Sequence, residues 1–130
     1  MIVVDTNVIA YLLMRNDDHV EAVDNLLLAH PEWIAPRLWE DEFVNLLATC
    51  ERRKLLSPAQ AATLLADAAT LMEGASYDVA PLRSLAVTRR IGCTGYDSQF
   101  IALAEDLGVP LYTFDEQILA QAGDLARIPN

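Results

Sequence analysis

The sequence predicts an α/β fold, a parallel central sheet of four to five short strands with helices on both faces. Three observations carry this. Short apolar runs alternate with amphipathic stretches of helical period along the chain. The first run, Ile2-Val3-Val4, shows no polar alternation, as expected of a strand covered on both faces. The 130 residues, 53% of them hydrophobic, suffice for one core, and no repeat or linker divides them, so 1–130 is read as a single domain.

The elements follow in order. After the strand at Ile2–Val4, a helix is expected from about Thr6 to Met14 and another from about Asp18 to Ala29. Trp33-Ile34-Ala35 forms a second strand that stops at Pro36, and a long helix runs from about Leu38 to Lys54. Ser57-Pro58-Ala59-Gln60 is a capping box with proline at the first helical position, opening a helix to about Met72. Tyr77-Asp78-Val79 is a weak third strand, followed by a helix from about Pro81 to Arg90. A helix from Asp97 to Leu107 is closed by Gly108. Val109 to Thr113 is the fourth strand, Asp115 to Ala122 the last helix, and Arg127-Ile128 an added edge strand. Strands alternating with helices give a parallel sheet, in which ligands bind beyond the carboxyl ends of the strands where the strand order reverses.

Composition constrains function. Every apolar stretch is interrupted by charge before it reaches the length of a membrane span. The opening Ile2-Val3-Val4-Asp5 has no basic region or cleavage site, so the expectation is a cytoplasmic protein. Cys50 and Cys93 fit reduced thiols rather than a disulfide framework. Nine basic residues against nineteen acidic ones give a net charge of −10. Such a surface repels phosphate unless cations intervene, and any nucleic-acid reading must answer that.

The acids themselves supply the answer. Asp5 and Asp115 each follow an apolar run at the carboxyl end of an expected strand, and each could equally be a helix cap. Asp97 opens a helix, where the macrodipole favours an anion whatever its function. Glu42 has no such excuse. At about 100° per residue, Leu38, Trp39, Phe43, Leu46 and Leu47 fill one side of the long helix, and Glu42 falls inside that sector. Glu40 lies at the sector's edge and Asp41 points away. A glutamate on a buried side needs a basic partner, a proton or a metal. The one lysine, Lys54, is at the far end of the same helix. Carboxylates crowded at one sheet edge repel one another without a cation. Oxygen donors without a Cys/His set favour Mg2+ or Mn2+ over zinc. Such ions clamp phosphate oxygens and acidify water for phosphodiester hydrolysis, and a loaded acidic site attracts phosphate.

These residues resemble a known family. Asp5-Thr6-Asn7-Val8 after a strand is similar to the opening signature of PIN-domain nucleases. Pro36-Arg37-Leu38-Trp39 with Glu42-Phe43-Val44-Asn45 resembles its second acidic motif, and Tyr96-Asp97-Ser98-Gln99-Phe100-Ile101-Ala102-Leu103-Ala104 its third. Val109-Pro110-Leu111-Tyr112-Thr113-Phe114-Asp115 resembles the fourth. The order and spacing are similar to the VapC-type toxins of bacterial type II toxin–antitoxin pairs over essentially the whole chain. The resemblance implies a PIN-like fold, a Mg2+- or Mn2+-dependent endoribonuclease acting on RNA, a homodimer, and a cognate antitoxin protein whose tail occupies the acidic groove. It also implies that Asp5, Glu42, Asp97 and Asp115 are both the metal ligands and the catalytic acids, with Thr6, Asn7 and Thr113 in support. One departure is Asp115-Glu116-Gln117, where many relatives carry a basic residue after the aspartate.

Other classes fare worse. A haloacid-dehalogenase-type phosphatase needs a second aspartate two residues after the first, where this chain has Asn7. A receiver domain needs a lysine near the end of its last strand, and a dinucleotide enzyme a glycine-rich first turn. The remaining alternative is a catalytically inactive PIN-like domain that binds a protein partner through its acidic groove. Arg52-Arg53-Lys54 and Arg89-Arg90 are either phosphate contacts or charges suited to helix carboxyl ends, as is Arg15, expected near the groove. His19 and His30 fall in no recognisable catalytic pattern with an acid or a serine in the sequence, so neither is expected to be a catalytic base, and Trp39 and Phe43 fit a core or a dimer contact.

Overall fold

In the computed structural model, which describes residues 1–15 and 18–130, five strands form one wholly parallel sheet in the order β3-β2-β1-β4-β5. The strands are β1 (Ile2–Val4), β2 (Trp33–Pro36), β3 (Ser76–Tyr77), β4 (Leu111–Tyr112) and β5 (Ala126–Arg127). The helices are α1 (Thr6–Met14), α2 (Val20–Ala29), α3 (Leu38–Arg52), α4 (Pro58–Leu71), α5 (Pro81–Ile91), α6 (Gly95–Leu107) and α7 (Glu116–Ala122), with a 3-10 turn at Gly123–Leu125. The expected α/β architecture is therefore present.

Central β1 shows why. Ile2, Val3 and Val4 are all fully buried, so both faces of the strand are covered and the unbroken apolar run is explained. Val3 pairs with Ile34 of β2 on one side and with Leu111 of β4 on the other. The ladder continues one step further, with Asp5 N–H donating to the Tyr112 carbonyl at 2.9 Å. The chain builds outward from β1 to β2 and β3, then returns to β4 and β5, so the strand order reverses between β1 and β4. Residues 5 and 113 stand at the carboxyl ends flanking that reversal.

Several element ends differ from expectation. β3 lies at Ser76–Tyr77 rather than 77–79, because its position is fixed by pairing with Ala35 and Pro36. β5 is Ala126–Arg127, one residue earlier than expected, through pairing with Leu111 and Tyr112. α3 stops at Arg52, and Lys54 takes a left-handed φ of 58°. α6 begins at Gly95 under a Thr94 cap, so Asp97 sits within its first turn instead of opening it. α2 starts at Val20, not Asp18. The capping box of Ser57 and Gln60 is formed reciprocally, as its four-residue pattern predicts.

Trp39 and Phe43 belong to the core, and the Trp39 indole N–H donates to Ser76 Oγ at 2.8 Å, tying α3 to β3. Cys50 and Cys93 are free thiols, Cys50 buried and Cys93 half-buried. Among the described residues, no helix is long and apolar enough to cross a membrane.

Candidate active site

Parallel βα units deliver the amino ends of their helices to the carboxyl ends of the strands, and the four singled-out acids all come from this region. Asp5 leaves β1 and caps α1, its Oδ1 accepting from Thr6 N–H at 2.7 Å. Its other oxygen accepts from the Thr113 hydroxyl at 2.7 Å and from the Asn7 amide at 3.4 Å. Thr113 itself is fully buried at the end of β4. Its Oγ1 also accepts from Asn7 Nδ2 at 3.4 Å and from Asp115 N–H at 2.9 Å. Asn7 Oδ1 in turn accepts from Phe114 N–H at 3.2 Å. One buried hydroxyl and one amide thus lock the loop after β4 onto the loop after β1.

Glu42 arrives from the second turn of α3. It is half-buried, while Glu40 and Asp41 are exposed, as the helical period requires. Its Oε1 accepts from Thr6 Oγ1 at 2.8 Å. Thr6 therefore links the two acids, touching Asp5 through its backbone and Glu42 through its side chain. Asp97 is half-buried in the first turn of α6, whose cap Thr94 accepts from Asp97 N–H at 3.0 Å. Asp115 caps α7, with Oδ1 accepting from Gln117 N–H at 2.8 Å and Ile118 N–H at 3.3 Å.

Electrostatics joins the four acids. Burial pushes the Asp5 carboxyl up to about 6, its hydrogen bonds from Thr113 and Thr6 pull against this, and repulsion from Glu42 and Asp97 adds to it. Glu42 is raised by burial and by Asp97, with the Thr6 bond opposing. Asp97 is raised by burial and by Asp115, with the Thr94 side chain opposing. No lysine or arginine is among the charges acting on these three. Among the described residues, no basic group offsets the charge of Asp5, Glu42 and Asp97.

Does that donor set fit a divalent ion? All four donors are hard oxygens, and their mutual repulsion is what a cation relieves. Among the described residues, no three acidic, histidine or cysteine side chains stand close enough to form a ready cage. The arrangement suits an ion held by one or two carboxylates and completed by water, the usual habit of Mg2+. Asp5 and Glu42, joined through Thr6, are the closest-knit pair for it. Asp115 has one oxygen taken up by the α7 cap.

Other expectations resolve differently. Arg15 is at the far end of α1 from the acids, bidentate on Asp24 at 2.8 and 3.0 Å, so it is not at the groove. Arg90 pairs with Glu105, and Arg83 bridges Glu105 and Asp106 at 3.3 and 2.8 Å. Arg52 donates to Thr49 within its own helix. Sequence reasoning passed over Thr94, although Thr94-Gly95-Tyr96-Asp97 is itself a capping pattern. It also passed over the rings of Tyr11, His19 and Phe114, which meet beside Asp115 at centroid separations of 4.3 to 5.0 Å. No local pattern announces that contact, since it joins three separate segments.

Comparison with curated proteins gave no match. The PIN domain family matches residues 2–124. Its members are typically metal-dependent nucleases, which supports a hydrolase at that general level. Nearly the whole chain is covered by the match, and the chain belongs to the PIN domain family.

Proposed function

We propose that this protein is a Mg2+- or Mn2+-dependent endoribonuclease that acts as the toxin of a toxin–antitoxin pair. The observation that carries the hydrolytic part is the acid cluster around buried Asp5, in which no basic group among the described residues offsets Asp5, Glu42 or Asp97. The toxin assignment rests on the resemblance of the four acidic motifs, in order and spacing, to VapC-type toxins. The same resemblance supports a homodimer and an antitoxin tail seated in the acidic groove.

In this reading Asp5 and Glu42 would hold the cation, and Asp97 and Asp115 would complete the negative field around it. A divalent ion held there would supply Lewis acidity towards a phosphate ester and its attacking water. The chain's own work is positional. Thr113 and Thr6 N–H hold Asp5 from two sides, so its carboxylate cannot rotate away when the cation leaves. Thr6 fixes one oxygen of Glu42, and Asn7 keeps the β4 loop, hence Asp115, in register with β1. Water adds at phosphorus and one ribose–oxygen bond to phosphorus breaks, leaving a phosphomonoester and a hydroxyl end.

Purified protein incubated with total RNA tests this, with and without Mg2+ or Mn2+ and beside Asp5→Asn. Discrete fragments that require metal and vanish in the variant are expected. Absence of cleavage by protein free of any bound partner would sink the nuclease reading. It would favour a partner-binding domain instead. The toxin role has its own check. Expression of the wild type, but not of Asp5→Asn, should arrest bacterial growth, and growth that continues unchanged removes that role.

A further inference from the structure

Three of the four acids are tied across elements by a hydrogen bond. Thr113 from β4 holds Asp5, Thr6 from α1 holds Glu42, and Asn7 holds the chain beside Asp115 through Phe114 N–H. Among the described residues Asp97 has no such tie. Its partner is Thr94, three residues earlier in the same turn. Yet the charge of Asp97 acts on both Asp5 and Glu42, and Asp115 acts on it in turn. The whole cluster therefore depends on where the first turn of α6 is held.

Packing alone does not hold it. A cavity of about 290 Å³ opens where α5 meets α6, lined among others by Ser84 and Thr88 of α5 and by Gly95 and Gln99 of α6. A methyl group added at Gly95 would meet nothing within 4 Å. Hydroxyls bridge the gap instead. Ser84 Oγ donates to the Gly95 carbonyl at 3.3 Å and meets Ser98 Oγ, which donates to the same carbonyl at 2.6 Å. Ser98 follows Asp97 directly and is fully buried. Among the described residues, the other side-chain links between α5 and α6 are the ion pairs of Arg83 and Arg90. These reach Glu105 and Asp106 at the opposite end of α6, and partly exposed pairs of that kind contribute little. We propose that Ser84, through Gly95 and Ser98, is a positioning residue that holds the first turn of α6, and Asp97 with it, at the acid cluster. Ser84 lies outside all four acidic segments, on a helix that supplies none of the acids. This inference rests on the metal-dependent reading above and adds to it the helix that keeps one of its acids in place.

Mn2+ titration of the metal-free protein by calorimetry is the test. Ser84→Ala should weaken binding about tenfold, the lower end of what losing a partner behind a metal site costs. Ser84→Thr keeps the hydroxyl and has the cavity to receive its methyl group, so wild-type affinity should return. Thr88→Ala removes a hydroxyl from the same helix and cavity that donates only within α5, to the Leu85 carbonyl, and should leave affinity unchanged. The decisive arm is the Asp97→Asn background. There Ser84→Ala should weaken Mn2+ binding no further, because its effect runs through Asp97. A tenfold loss that persists in that background, or wild-type affinity in Ser84→Ala, overturns the proposal. None of these arms uses RNA, so a protein that binds Mn2+ but leaves RNA intact removes the nuclease reading and not this one. Should the wild type bind no Mn2+, the metal reading falls and amide exchange in the metal-free protein decides the tie. Faster exchange at Asp97, Ser98 and Gln99 in Ser84→Ala, with the carboxyl half of α6 unchanged, supports it. Identical exchange in the two proteins overturns it.

Discussion

Asp5 is 8% exposed, and its carboxyl is pushed up to about 6, first by burial and then by Glu42 and Asp97. In the unfolded chain the same group titrates near 3.9. The native state therefore holds the proton more tightly than the unfolded state does. Without metal, the stability that Asp5 contributes is fully present below about pH 4. It is lost as pH rises through about 6, by about 3 kcal/mol as a ceiling. Glu42 and Asp97, also raised, act in the same direction. Denaturation in EDTA at pH 4 and pH 7.5 should show this loss in the wild type and a smaller one in Asp5→Asn. The variant should be the more stable protein at pH 7.5. Identical pH slopes would mean that Asp5 is not the group responsible. Thr113 offers a second test. Its buried hydroxyl serves Asp5, Asn7 and Asp115 together, so Thr113→Val keeps the shape but leaves Asp115 N–H and an Asp5 oxygen without that partner. A loss of about 2 kcal/mol is expected, with Mn2+ affinity falling about 10- to 100-fold by calorimetry and Thr113→Ser restoring both. Unchanged Mn2+ affinity would confine Thr113 to a structural role.

At the scale of elements, helix ends make an all-acid site tolerable. α1 and α6 turn their amino ends to the strands' carboxyl edge, so Asp5 and Asp97 sit where backbone N–H groups favour negative charge. This also explains what was legible in the sequence. Asp5 and Asp115 were readable as residues following apolar runs, and Glu42 as a charge inside the apolar sector of α3, because strand and helix periodicities are local. β3 and β5 were misplaced by a residue or more because each is two residues long and takes its register from a neighbouring strand, Ala35 for Ser76 and Leu111 for Ala126. The Tyr11, His19 and Phe114 contact was invisible for the same reason, being made only when three segments meet. Local signals can be tested separately from the site. Ser57→Ala breaks the reciprocal cap of α4, which supplies none of the acids. It should cost about 1 kcal/mol, or about 4 °C in Tm, without altering RNA cleavage. A change in KM or in metal requirement would show that α4 reaches the site after all.

For the whole molecule, the net charge of −10 sets how substrate can approach. Proteins that grip nucleic acid through six or more phosphate contacts lose roughly a thousandfold or more in affinity between 50 and 200 mM salt. This chain has nine basic residues, and Arg15, Arg37, Arg83 and Arg90 are engaged with its own acids. Few cations remain to displace counterions, and long-range repulsion opposes encounter when salt is low. KM for RNA at saturating Mg2+ should therefore change by less than about tenfold over that salt range. The exposed Glu116, in the first turn of α7 beside Asp115, would add to the repulsion of phosphate at the proposed site. Glu116→Lys should lower KM several-fold at 50 mM salt, with the advantage shrinking towards 500 mM as the Debye length falls well below its 0.1 M value of about 10 Å. The same substitution removes a favourable acid from the amino end of α7, at a cost of about 0.5 kcal/mol in stability. Activity that improves while stability falls would separate the field at the entrance from the packing beneath it. A KM indifferent to both salt and Glu116→Lys would mean that substrate enters from a side of the protein where α7 plays no part.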